Sequence, residues 1–385
     1  MKVLILNSDS PHNRGDRAIL AGLISLIKDL DPTNEITALS QFQKRDEAWF
    51  GIRFLPFSPY STSLGDYLKL LAEAKKSDVV LWGGGELLKD YTNRLSLYYW
   101  FLKTWGIKRV NKNLIGAFQG IGPTNAASSK KLIAACASNC KEFLVRDERS
   151  KKLLTEWGAK TKITASFDPA VYVSREIREP KQVIGLGLRR WFHYQPGGFL
   201  PTKYRFWQKA AEVSTEEQNY RRSITELAQK LLDENPGVLR FFPMHMAGSE
   251  NDAGFANEII AGLSDPARCE VVEKDNLSPD EYLDLISECD LFVASRLHSA
   301  ILATVARVPA LCLYYVDKGR LFFEQLSLSE YAVDINFTQQ RGSAAVLHSK
   351  ITELQGDAAA ALRRDAALDQ MRQQLREDLK KALGL

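Results

Sequence analysis

No stretch of the 385 residues approaches the roughly 18 consecutive apolar residues that a membrane-spanning helix needs. The opening MKVLILNSDS turns polar after a short apolar run, too short for the apolar region of a signal peptide, and reads as a first buried strand. The expectation is a soluble, cytoplasmic protein. Cysteine is scarce: Cys136, Cys140, Cys269, Cys289 and Cys312 are odd in number and show no paired zinc-type spacing. Cys136 and Cys140 lie one helical turn apart with no histidine near them, so reduced thiols packed in a core are expected and no metal site is. Neither sign of charge dominates, with 51 Lys and Arg against 47 Asp and Glu, a formal net charge of +4, and the basic residues are scattered. A basic face for nucleic acid is therefore not expected. A dinucleotide fingerprint with its downstream acid and a P-loop GK[ST] are both missing.

What is present is an alternation of short apolar runs, glycine-rich exits and helical periods, in a chain longer than one core usually supports. Lys2 to Asn7 reads as a strand leading through SDSPHNRGD into the helix AILAGLISLIKDL. Asp16 stands at that helix entrance, either as a cap or facing a substrate, and Asn13, Arg14 and Gly15 make a polar rim. Ile36 to Leu39 is a second strand, followed by an irregular stretch through FLPFSPYSTSLGD and a helix from Tyr67 to Lys75. Asp78 to Trp82 runs into Gly83, Gly84 and Gly85, which lack the β-carbons that keep a ligand from the backbone. The strand Asn113 to Phe118 ends in QGIGP, Glu142 to Val145 ends at Arg146 and Asp147, and ITASFDPAVYV carries Asp168 and Pro169 in a turn.

The polar stretch SREIREPK suggests a domain boundary, giving a first domain at 1–177 and a second at 178–340. Val183 to Leu188 restarts the alternation and ends at Arg189 and Arg190. WFHYQPGGFLPTKYRFW has neither period and is a candidate lid or acceptor loop, or equally a hydrophobic plug. Residues 341–385 form two helices parted near Gly356, and Leu368, Met371, Leu375, Leu379 and Ala382 recur at helical spacing, so one face should dock on the domains.

The chemistry is placed in the stretch from Asp290 to Lys318, a strand, helix and strand with Arg296 and His298 at the first junction and Lys318 beyond the second strand. Ligands of open α/β sheets bind at that carboxyl edge, where free helix N–H groups favour anions. A lone histidine at such a junction is often only structural. Here three basic or titratable groups converge on one edge, as a small anionic substrate requires.

Seven segments taken together, NRGDRAIL, DVVLWGGGELLKDYTNRLSLYY, GIGP, VRDERSKKLL, FDPA, SRLHSAI and YYVDK, resemble the polysaccharide pyruvyl transferase family over roughly residues 3 to 325. The resemblance implies two Rossmann-like parallel-sheet domains facing across a cleft, as in GT-B glycosyltransferases, with C-terminal helices. It also implies transfer of pyruvate from phosphoenolpyruvate to a sugar of a glycan or a lipid-linked saccharide, as a ketal with release of phosphate. Carried over by position, Arg146, His298 and Lys318 contact phosphoenolpyruvate with Arg296 beside them, and His298 and Asp16 are the catalytic candidates. Asn13, Gly15 and Gly83, Gly84 and Gly85 face the acceptor. Arg17 departs from the acid common after the GD pair, and SDSPH departs from an aromatic loop, both on the acceptor side. Arginine and lysine suit a phosphate and a carboxylate, and histidine suits proton transfer near neutral pH. No cofactor or metal is called for, no nucleic acid is expected, and a lipid-linked acceptor would bring peripheral contact with the inner face of the membrane. The alternatives are a nucleotide-sugar glycosyltransferase of the same architecture and a catalytically silent binding protein that keeps the fold.

Overall fold

Runs such as VLIL, VVLW and LFVA are apolar at every position, which suits strands buried on both faces of a parallel sheet and not strands with one wet face. They form the centres of two sheets. The computed structural model describes residues 1–385 except 8–12, 92, 175–177, 192–213, 247–249 and 275. The first sheet contains β1 (Lys2–Leu6), β2 (Glu35–Leu39), β3 (Arg53–Leu55), β4 (Val79–Gly83), β5 (Leu114–Gln119), β6 (Glu142–Val145) and β7 (Lys162–Ala165), in the order β3-β2-β1-β4-β5-β6-β7. The second contains β8 (Val183–Gly187), β9 (Val238–Phe241), β10 (Cys269–Val271), β11 (Cys289–Ala294), β12 (Ala310–Tyr314) and β13 (Ala332–Asp334), in the order β10-β9-β8-β11-β12-β13. Every described pairing between these strands is parallel. Both sheets are thus doubly wound, and each reverses its strand order beside its first strand.

Helices cover the sheets: α1 (Arg14–Leu30), α2 (Gln43–Phe50), α3 (Leu64–Lys76), α4 (Leu95–Val110), α5 (Ala127–Ser138) and α6 (Glu148–Glu156) in the first half. The second half has α7 (Thr215–Glu234), α8 (Asp252–Ile260), α9 (Pro279–Ser287), α10 (Leu297–Val305) and α11 (Asp317–Gln325). Hydroxyl caps start the helices where expected: Ser214 accepts from the Glu217 N–H, and Ser278 with Glu281 forms a complete capping box. Two helices close the chain, α12 (Ser343–Gly356) and α13 (Ala358–Leu383). The predicted face of α13 is buried at Leu368, Met371, Leu375, Leu379 and Ala382. The helix reaches the first half, where Arg372 donates to the Val171 and Val173 carbonyls at 2.9 and 3.2 Å.

Three expectations change. The stretch before Tyr67 holds α2 and β3; α2 reads QKRDEAWF and buries only Asp46, in an ion pair with Arg17 at 2.8 Å, so no apolar stripe announces it. α1 begins at Arg14 and not at Ala18, because Asn13 is the cap, its Oδ1 accepting from the Gly15 N–H at 3.0 Å. Asp16 therefore stands in the first turn and is not the cap. The candidate lid at 191–207 lies outside the described residues but for Trp191, and the boundary placed after 177 falls at undescribed residues too.

Candidate functional site

Where strand order reverses, the loops leaving adjacent strands part and open a crevice at the carboxyl edge. The two sheets bring their crevices together. A cavity of about 350 Å³ lies between the exits of β4 and β6 and the start of α1 on one side, and the exits of β8, β11 and β12 on the other. The walls touch: the Arg14 N–H donates to the Met244 carbonyl at 2.9 Å, and the Arg14 guanidinium donates to Val272 and Lys274 carbonyls while lying 4.1 Å over the Tyr282 ring.

Arg146, buried at the end of β6, donates to Asp168 at 3.1 Å and to Glu86 at 3.3 Å. Gly120 makes room for it, since a β-carbon there would lie 2.6 Å from Arg146 Cζ. The same two carboxylates face the second half. His298, the second residue of α10, brings Nε2 to 3.5 Å from Asp168 Oδ2, and Lys318, the second residue of α11, brings Nζ to 3.7 Å from Glu86 Oε2. Burial opposes ionisation of both acids, but His298 and Arg146 hold Asp168 at about 2, and Lys318, Lys89 and Arg146 hold Glu86 at about 2. Both are anions at neutral pH. Three of the called groups, Arg146 from β6 and His298 and Lys318 from the second sheet's edge, thus meet Asp168 and Glu86 as one interleaved set across the crevice.

Arg296 is placed differently. It caps no helix with its side chain; it donates to Asp252 at 2.6 and 3.1 Å and to Glu250 at 2.6 Å. Asp252 in turn accepts from the Met244 and His245 N–H groups at 3.1 and 2.9 Å. Arg296 lines the cavity while its donors are engaged by its own half. Arg189 lines it too, its guanidinium 4.1 Å over the Tyr315 ring. Burial raises the Tyr315 phenol, but Lys318, Arg189 and Arg296 outweigh it and bring the group below its ordinary range.

On the first half, Asn13, Asp16 and Gly85 line the cavity. Gly84 and Gly85 adopt φ of 102° and 64°, a left-handed path that turns the chain from β4 toward Glu86. Gly83 is a packing residue against Leu23 and Ala117, not a cavity residue. Gly15 is buried, and a β-carbon on it would collide with the His298 ring, so its smallness serves the histidine more directly than any acceptor. Arg17 points to Asp46 and lies 5.3 Å from the Trp49 ring centre, within the first half, which gives the departure at that position a structural partner. Sequence reasoning passed over Glu86, Asp168 as a partner of His298, Arg189, His245 and Tyr315. Two signals were legible: an acid directly after three glycines, and an acid before proline in FDPA. Among the described residues no group of three His, Cys, Asp or Glu side chains is arranged to hold a metal, and no helix is long and apolar enough to cross a membrane.

The sequence profile for polysaccharide pyruvyl transferase matches residues 13–317, most of the chain and all of the cavity's second-half wall up to Asp317. The chain belongs to the polysaccharide pyruvyl transferase family. Membership implies transfer from a pyruvate donor to a polysaccharide or glycan acceptor. The fold is also that of known sugar enzymes. A glycosyltransferase from Rickettsia africae aligns over 99% of this chain and 97% of its own, at 12% identity and a TM-score of 0.57. A UDP-GlcNAc 2-epimerase from Neisseria meningitidis aligns over 100% and 99%, at 13% identity and a TM-score of 0.55. The ADP-heptose lipopolysaccharide heptosyltransferase II of E. coli aligns over 92% and 98%, at 14% identity and a TM-score of 0.50. At such identities the likeness is one of GT-B fold.

Proposed function

We propose that the protein moves the pyruvyl group of phosphoenolpyruvate onto two hydroxyls of a glycan or a lipid-linked saccharide, forming a ketal and releasing phosphate. The observation that supports this most is the pairing of His298, which lines a cavity with several cations, with an ionised Asp168 behind it. Five cations line the cavity, Lys89, Arg146, Arg189, Arg296 and Lys318, against the carboxylates Asp16, Glu86 and Glu250. Guanidinium and ammonium groups gathered at one place suit a donor that carries a phosphate and a carboxylate.

In this reading Arg146 and Lys318 take the donor's anionic groups, trading contacts with Glu86 and Asp168, while Arg296 supports them from beside. His298 gives a proton to the methylene carbon as an acceptor hydroxyl adds to the neighbouring carbon. A second hydroxyl then displaces phosphate and closes the ketal; of the two hydroxyl protons, one restores the acid and one leaves with phosphate. Asp168, held at about 2, stays a carboxylate throughout, so it orients the imidazole and balances its charge and is not itself the acid. Asp16, at the start of α1, faces the acceptor hydroxyl as its base, with Asn13 and Gly85 beside it. Residues 1–177 form the acceptor side and lend Arg146, residues 178–340 form the rest of the donor side, and residues 341–385 brace both.

Thermal melting with each candidate donor tests the assignment, because a ligand that binds only the folded state at 100 times its Kd adds about 2.7 kcal/mol of stability. Stabilisation by phosphoenolpyruvate is expected. Stabilisation by a nucleotide sugar with none by phosphoenolpyruvate would replace this reading with glycosyl transfer.

A further inference from the structure

Two neighbouring helices of the first half turn apolar faces to solvent. α3 and α4 are joined where Tyr67 Oη donates to the Leu102 carbonyl at 3.3 Å. On α4, Leu95, Tyr98, Leu102 and Trp105 recur at spacings of three and four, which puts them on one helix face, and that face is the exposed one. Leu64 and Leu68 continue it on α3, and the six side chains are between 41% and 71% exposed. An ordinary surface helix shows the reverse arrangement.

The charges around this face are one-sided. Lys69, Lys75 and Lys76 on α3 and Lys108 and Arg109 on α4 are exposed, and the Arg109 guanidinium lies 4.6 Å over the Trp105 ring. The only acids in the two helices, Asp66 and Glu73, are half-buried and already paired, Asp66 with Ser61 and Lys69, and Glu73 with Arg53. The other face of α4 carries Ser96 and Trp100 into the cavity, so this surface adjoins the acceptor side of the cleft.

We propose that the α3 and α4 face docks on the surface of an anionic phospholipid bilayer. Leucines, tyrosine and tryptophan enter the boundary between headgroups and acyl chains, and the lysines and arginine meet lipid phosphates. A second copy of the chain fits less well, because self-pairing of this face would set the same cations against each other. Docking would present the cleft to a saccharide carried on lipid, and it does not depend on which donor the cleft takes.

Flotation of the full chain with vesicles tests it. Binding is expected to vesicles of equal parts phosphatidylglycerol and phosphatidylcholine, weakened by high salt, with none to pure phosphatidylcholine. The Leu102→Gln, Trp105→Gln double variant and the Lys108→Glu, Arg109→Glu double variant should each lose binding by about tenfold or more. Leu362→Gln, at an exposed leucine on α13, should not, and all three should melt with the parent. Failure of the parent to float with anionic vesicles overturns the proposal, as does full binding by the Gln double variant. A parent that dimerises without lipid, and a Gln double variant that does not, would assign the face to a second copy instead.

Discussion

Arg146 and Arg296 each stand at the carboxyl end of a strand, one in each sheet, and each is clasped by two carboxylates. The partners of Arg296 serve one half: Asp252 also takes the Met244 and His245 N–H groups, and Glu250 lies two residues before it. The partners of Arg146 serve both halves, Asp168 facing His298 and Glu86 facing Lys318 across the crevice. The same local motif thus fixes a loop in one place and joins the two walls of a site in the other. Only the second arrangement can respond to an anion entering between the walls, because its carboxylates hold cations that such an anion would also seek.

The largest effect is expected at the residue that depends on the bridging set. His298→Gln should lower turnover by about a hundredfold to ten-thousandfold, the range for losing a general acid or base, while donor affinity by calorimetry changes little since Arg146 and Lys318 remain. Near-normal single-turnover rates in this variant would make His298 a structural residue. Arg296→Gln should act on stability instead. It strands Asp252, which is buried, and breaking such a pair costs about 3–5 kcal/mol, read by urea unfolding. If donor affinity falls and stability does not, the contrast between the two arginines is lost and Arg296 is a donor ligand first.

Acid should attack the bridging set next. Asp168 and Glu86 have their carboxyls at about 2, below their ordinary values near 4, because the facing cations outweigh burial. A depressed carboxylate contributes stability above its unfolded pKa and loses it as pH falls toward the folded one. Each should therefore add on the order of 2–3 kcal/mol above about pH 4.5, lost as pH approaches 2. Melting across that window in the parent and in Glu86→Gln checks this: the variant should be less stable at neutral pH and lose less on acidification. Arg146→Lys keeps the charge and removes the fork, so donor affinity should fall about tenfold to a hundredfold. Unchanged calorimetric affinity would move the anion site toward Lys318 and Arg189.

Much of this is legible in the sequence. The run from Asp290 to Lys318 shows its strand, helix and strand by period, and the repeated glycine-rich exits, as at the GGG that ends β4, signal a doubly wound sheet. Pairings were not readable. Arg146 meets Glu86 from 60 positions away and Asp168 from 22, and no period records which exits face each other once two sheets close. α2, held by a buried ion pair, carries no apolar stripe, and α4, apolar on its exposed as well as its buried face, shows no period at 3.6 residues.

The smallest expected effect is the sharpest on geometry. Gly15 lies in the first turn of α1 with no left-handed backbone, so alanine there should favour the helix by up to about 1 kcal/mol. Its β-carbon, however, would occupy the space of the His298 ring across the crevice. Gly15→Ala should therefore gain nothing in melting, because shifting the His298 ring from Asp168 offsets the helix term, and should lose turnover by about tenfold, less than the hundredfold that a misplacement of about 1 Å can cost. Donor affinity should hold, since neither Arg146 nor Lys318 touches this position. Gly356→Ala, at a helical glycine whose β-carbon would meet nothing, is the control that takes the helix gain without a collision and keeps the rate. Were Gly15→Ala to keep full turnover, His298 would not need its place against α1, and its pairing with Asp168 would lose its claim to organise the reaction.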